Sequence, residues 1–102
     1  MTDSKFLHDI RVFDQYGHHV IGHLVAVDDD GLSMLSDLAL DSETELSFML
    51  EDVTDVSGKG KALFSATCDV CLPEEGMLDL YHVRLNFTHL SPLAQTVAKA
   101  LH

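Results

Sequence analysis

Along most of this chain apolar and polar residues alternate with a period of two, and that pattern leaves few architectures open. The stretches "DIRVF", "HHVIGHLVAV", "LSML", "ELSFML", "ALFSATCDVCL" and "LDLYHVRLNF" each place apolar side chains on one face and polar ones on the other, as half-buried β-strands do. Short pieces with turn chemistry separate them: "DQYGH", "DDDG", "SGKGK" and "PEEGM". About six strands with one wet face each predict an antiparallel meander, closed or nearly closed, because closure buries one face and removes exposed edges. The expected fold is all-β, a six-stranded antiparallel β-barrel with strands over about 8–88.

The alternation also names a core. In the last strand Tyr81, Val83, Leu85 and Phe87 share a face opposite His82, Arg84 and Asn86. In the fifth, Ala62, Phe64, Ala66, Cys68 and Val70 oppose Lys61, Ser65, Thr67 and Asp69. Phe48, Phe64, Val83, Leu85 and Phe87 are therefore expected to be buried together.

After the strands the period changes. In "HLSPLAQTVAKAL" Ser91 suits an N-cap, Pro92 the first helical position, and Leu93, Val97 and Leu101, with Ala94 and Ala98 beside them, form an apolar stripe. A short C-terminal helix over about 91–101 is predicted to lay this stripe over an open end of the barrel. With no linker, repeat or low-complexity tract, residues 1–102 read as one domain.

Charge excludes one class of partner. Seventeen acidic residues against six basic ones give a net charge of −11, whereas nucleic acid is held through clustered Lys and Arg. "MTDSKFLHDIRVF" has no apolar run of secretory length and no stretch approaches a membrane span, so a soluble, cytoplasmic protein without membrane insertion is expected.

Residue clusters that suggest chemistry are few. Cys68 and Cys71 in "CDVC" are three apart, which in a regular strand means opposite faces and about 10 Å between α-carbons, too far for a disulfide. Both thiols should stay unbridged. Of the seven histidines, His19 and His23 share a strand face about 13 Å apart, and only adjacency of the second and last strands would bring His82 to them. No metal centre is expected, since Asp28, Asp29 and Asp30 also lack the alternating oxygen ligands of a calcium loop. No nucleophile and base pair can be named, so no enzymatic activity is expected.

The strand, the acidic turn "AVDDDG", the short apolar strand, "LDSETELSFML", the long strand and the final strand ending "VRLNFTHLSP" together resemble the bacterial PilZ domain over nearly the whole chain. That resemblance implies a six-stranded barrel and two cyclic di-GMP motifs, Arg-x-x-x-Arg before the barrel and Asp/Asn-x-Ser-x-x-Gly between the second and third strands. Here Gly31 matches, but Ala26 stands at the acidic or amide position and Asp28 at the serine. The arginine motif is absent: Lys5 is the only base ahead of the barrel, and Arg11 belongs to the first strand. Gly31 is expected to serve a positive φ in a tight turn. Guanidinium groups suit phosphates and guanine edges, and the chain has only two arginines.

The reading that follows is a stand-alone PilZ-type signalling or adaptor domain of cyclic di-GMP, motility or pilus circuits, without a cofactor, acting by contact with a protein partner. Two others stay open at this point. One is a cyclic di-GMP receptor with a non-standard site, the charge coming from Lys5, Arg11 or a partner chain. The other is a metal-binding barrel built on His and Asp.

Overall fold

The computed structural model describes residues 9–42, 44–76 and 79–101. Six strands, β1 (Arg11–Phe13), β2 (Val20–Val27), β3 (Gly31–Ser36), β4 (Glu45–Glu51), β5 (Lys61–Pro73) and β6 (Tyr81–Leu90), precede one helix, α1 (Pro92–Leu101). The strands form a closed barrel in the order β1-β2-β3-β6-β5-β4, and all six neighbour pairs are antiparallel. The expected barrel and helix are both present.

The path is not a single meander. β1–β2–β3 and β4–β5–β6 are each a meander, and two seams join them: β3 against β6, with Gly31 opposite Asn86 and Ser36 opposite Tyr81, and β1 against β4, with Val12 opposite Leu50. The connection from β3 to β4 therefore links strands on opposite sides of the barrel. It crosses one mouth, where Leu40 packs against the core and the Ser36 hydroxyl donates to the carbonyl of Ile21 and accepts from the Leu38 amide.

Alternation places the core as expected. Phe48 and Phe64 are direct cross-strand partners, stacked with ring centroids 5.4 Å apart, and Phe87 meets Phe64 edge-on at 5.5 Å. Such pairs add to simple burial because the ring edges and faces carry opposite partial charge. Val83 and Leu85 are fully buried beside them, with Phe87 only partly so.

Late in β5 two positions depart from the expected alternation, for one reason. A β-bulge lies between Cys68 and Val70, so Cys68 pairs with Leu85, Val70 with Arg84 and Cys71 with Val83. The extra residue turns Val70 outward, 38% exposed, and brings Cys71 to the same inner side as Cys68, against the core. The expectation that the two cysteines face opposite ways is thus overturned by the bulge. Both are free thiols, and burial pushes the Cys68 thiol above its ordinary pKa.

α1 closes the other mouth. The Ser91 hydroxyl accepts a hydrogen bond from the Ala94 amide at 3.1 Å, an N-cap, and Lys99 lies in the last turn, where it complements the helix dipole. Ala94 and Val97 belong to the barrel's core cluster and Leu101 packs against it, but Leu93 is exposed. The stripe is one position narrower than predicted. Among the described residues, no helix is long and apolar enough to cross a membrane.

Because Phe64 is fully buried and touches two other rings, Phe64→Ala should destabilise the fold by about 3–5 kcal/mol. Urea unfolding followed by circular dichroism measures this, and an unchanged midpoint would contradict the packing described.

Candidate functional site

The turn between β2 and β3 carries the resemblance, and its geometry follows from Asp28. The Asp28 amide donates to the Gly31 carbonyl at 2.9 Å. In the other direction, Asp28 Oδ1 accepts from the amides of Asp30 at 2.8 Å and Gly31 at 2.9 Å. One carboxylate oxygen thus satisfies two turn amides, the usual way an aspartate stabilises such a bend.

The same carboxylate is gripped from β6. Arg84 Nη1 donates to Oδ2 at 2.9 Å and Nη2 to Oδ1 at 3.0 Å, a bidentate pair, and Arg84 Nε donates to Asn86 Oδ1 at 3.3 Å. The Arg84 guanidinium, helped by the Asp30 amide, holds the Asp28 carboxyl well below the usual carboxylate range. Asp28 in turn raises Arg84 above its ordinary value. Asp28 therefore faces its own turn and Arg84 rather than projecting outward as a lone carboxylate.

Gly31 is required for a different reason than expected. Positive φ among the glycines occurs at Gly17, Gly58 and Gly76, not at Gly31. A Cβ at Gly31 would lie 2.0 Å from the Leu85 carbonyl oxygen and 3.0 Å from its carbon. The backbones of β3 and β6 approach too closely there for any side chain, so the glycine serves the seam and not the turn.

The remaining predicted site residues do not converge on this turn. Ala26 sits exposed on β2 opposite Ser33. Arg11 lies in β1 opposite His23. Its Nε is 3.3 Å from Glu51 Oε1 on β4, and its guanidinium covers the Phe13 ring at 5.1 Å. Lys5 lies outside the described residues. Sequence reasoning missed Arg84 as the partner of Asp28. Its outward direction on β6 follows from the alternation, but the contact needs the β3–β6 pairing, for which the sequence carries no local signal.

Beside the turn, a cleft of about 120 Å³ is lined by Asp28, Asp29, Phe87, Leu90, Gln95 and Lys99 among others. It is smaller than the roughly 300–1,000 Å³ typical of small-molecule sites, and it sets one ammonium against two carboxylates. A ligand with two phosphates would find little attraction in it.

The histidines do not assemble. His23 and His82 both pair with Leu35, from opposite sides, so β3 separates the strands that carry them. His82 Nδ1 lies 3.9 Å from Glu74 Oε2. Among the described residues, no three His, Cys, Asp or Glu side chains are placed to hold a metal ion. No protein-family model, curated protein or solved structure matches the chain.

Two consequences can be measured. The folded-state pKa of Asp28 is depressed, so its stabilisation is present above the ordinary carboxylate value of 3.8 and fades as pH falls through the lower folded value. Asp28→Asn should therefore lose less stability than the parent between about pH 4 and about pH 2, measured as urea midpoints. Gly31→Ala should destabilise by about 1–3 kcal/mol or more through overpacking at the seam, and a variant as stable as the parent would show that β3 and β6 can separate there at no cost.

Proposed function

We propose that this chain is a cytoplasmic PilZ-type signalling or adaptor domain of bacterial cyclic di-GMP, motility or pilus circuits, that it does not itself hold the nucleotide, and that it acts by contact with other proteins. The closed barrel with an acidic turn between β2 and β3 is the architecture that the resemblance implies. What carries the reading is the state of the two arginines. Arg84 is bound bidentately by Asp28, and Arg11 is held against Glu51 and Phe13. The groups best suited to phosphate are already engaged within the fold, on different walls of the barrel.

Charge-assisted contacts contribute about 1.5–3 kcal/mol each. The loss of several, at one decade of affinity per 1.4 kcal/mol, carries a micromolar ligand beyond the millimolar range. Using Arg84 for a phosphate would also leave Asp28 without its partner, a few ångströms from the new anion.

Calorimetric titration with cyclic di-GMP should therefore show no saturable heat up to about 100 μM nucleotide. A low-micromolar isotherm would overturn this reading in favour of a receptor with a non-standard site.

A further inference from the structure

The strands run so that the β1–β2, β3–β4 and β5–β6 connections share one mouth of the barrel, opposite the mouth that α1 covers. The described residues of those connections, within 14–19, 37–44 and 74–80, include Asp14, Asp37, Asp41, Glu74, Glu75 and Asp79, and neither lysine nor arginine. Of the five described lysines and arginines, four lie elsewhere. Lys59 is in the β4–β5 connection and Lys99 in α1, both at the opposite mouth. Arg84 is bound to Asp28 and Arg11 to Glu51. Lys61 alone reaches these connections, its chain running beside Gly17 and its ammonium lying over the Phe13 ring at 4.8 Å.

This acidic mouth is not fully covered. Leu40 fills part of it from the crossing connection, but Leu38 is 47% exposed and Leu46, at the first inward position of β4, is 39% exposed. They line a cleft of about 220 Å³ with Ile21, Leu40, Phe48 and Asp14. Ile21 also lines a neighbouring cleft of about 190 Å³ with His23, Leu35, Asp37 and Leu80. Two apolar hollows therefore lie side by side around Ile21, with Asp14 at one and Asp37 at the other. The Asp14 carboxylate is held ionised by the backbone amides of His18 and His19, which lower its pKa.

We propose that this mouth docks a basic amphipathic segment of a partner protein, two neighbouring apolar side chains filling the two hollows while flanking lysines or arginines meet the rim. The proposal rests on the adaptor reading above and gives its partner a chemistry. Exposed apolar floor with a polar rim is the usual form of an interaction site. The sign of the rim selects among occupants: nucleic acid and anionic lipid are repelled, and so is a second copy of a chain with net charge −11. A cationic segment is steered in, and association depends on salt.

The probe is a fluorescein-labelled peptide of about twelve residues with a Lys-Leu-Leu-Lys repeat, followed by anisotropy at about 50 mM salt. Saturable binding is expected below about 100 μM, with none for the same peptide carrying glutamate in place of lysine. Leu38→Ser with Leu46→Ser, and separately Asp37→Asn with Asp41→Asn, should each weaken it by about tenfold or more. Asp29→Asn with Asp30→Asn, an equal charge change at the opposite mouth, should leave it within about twofold. Absence of saturable binding overturns the proposal. So does equal weakening by both aspartate pairs, which would mean diffuse charge attraction. Should the serine pair fail to fold, hydrogen exchange on the parent decides. Peptide-dependent protection at 45–48 supports the groove, and protection confined to α1 or the β2–β3 turn overturns it. A positive cyclic di-GMP isotherm would overturn the adaptor reading alone, whereas peptide failure without nucleotide binding overturns the groove alone.

Discussion

Everything in this barrel depends on two seams, because each half of the chain is a three-stranded meander that cannot bury its inner face alone. Each seam is secured across its width by one arginine and one carboxylate. Asp28, in the turn of the first half, is bound by Arg84 of the second. Arg11 of the first half reaches Glu51 of the second, whose Oε1 also accepts the Arg11 amide at 3.1 Å. Both pairs are partly open to water, so their Coulombic worth is modest. Their value is positional: they fix which residues lie opposite one another where no short turn sets the register.

That use of arginine links the fold to the function proposed. A chain with two arginines that stations one at each seam has none left over for a phosphate clamp, and the aspartate in the turn is where one of them is held. The acidic turn looks like a ligand loop in sequence because loops that bind and loops that brace themselves draw on the same residues, Asp, Gly and Ser. The difference lies in what faces the carboxylate. Here it is two turn amides and a guanidinium from the same chain.

What could be read from sequence was whatever repeats locally. Alternation marked the strands and the Phe64 and Leu85 core, and the change of period at Ser91 marked the helix, because periods of two and of about 3.6 depend only on neighbouring residues. What could not be read was non-local. The pairing of β3 with β6 puts Arg84 on Asp28, presses Gly31 against Leu85 and separates His23 from His82, yet nothing near any of these residues announces it. The bulge after Cys68 was hidden for a related reason: one extra residue in β5 shows only against the register of β6, and it reverses the facing of every later position in the strand. Of the site residues considered, Asp28 and Gly31 meet at one turn, Ala26 stays on β2, and Arg11 proves to belong to the opposite seam.

The crossing connection between β3 and β4 also governs how the chain reaches this state. The contacts inside each meander are between strands close in sequence and can form on the microsecond scale of hairpins. The seams join positions as far apart as Asp28 and Arg84, and their loop entropy must be lost before their contacts are gained. The connection is then the tether that keeps the two halves of the barrel within reach of each other. Lengthening it raises the entropy lost when the seams close and is expected to slow that closure, while the local hairpins stay as fast as before.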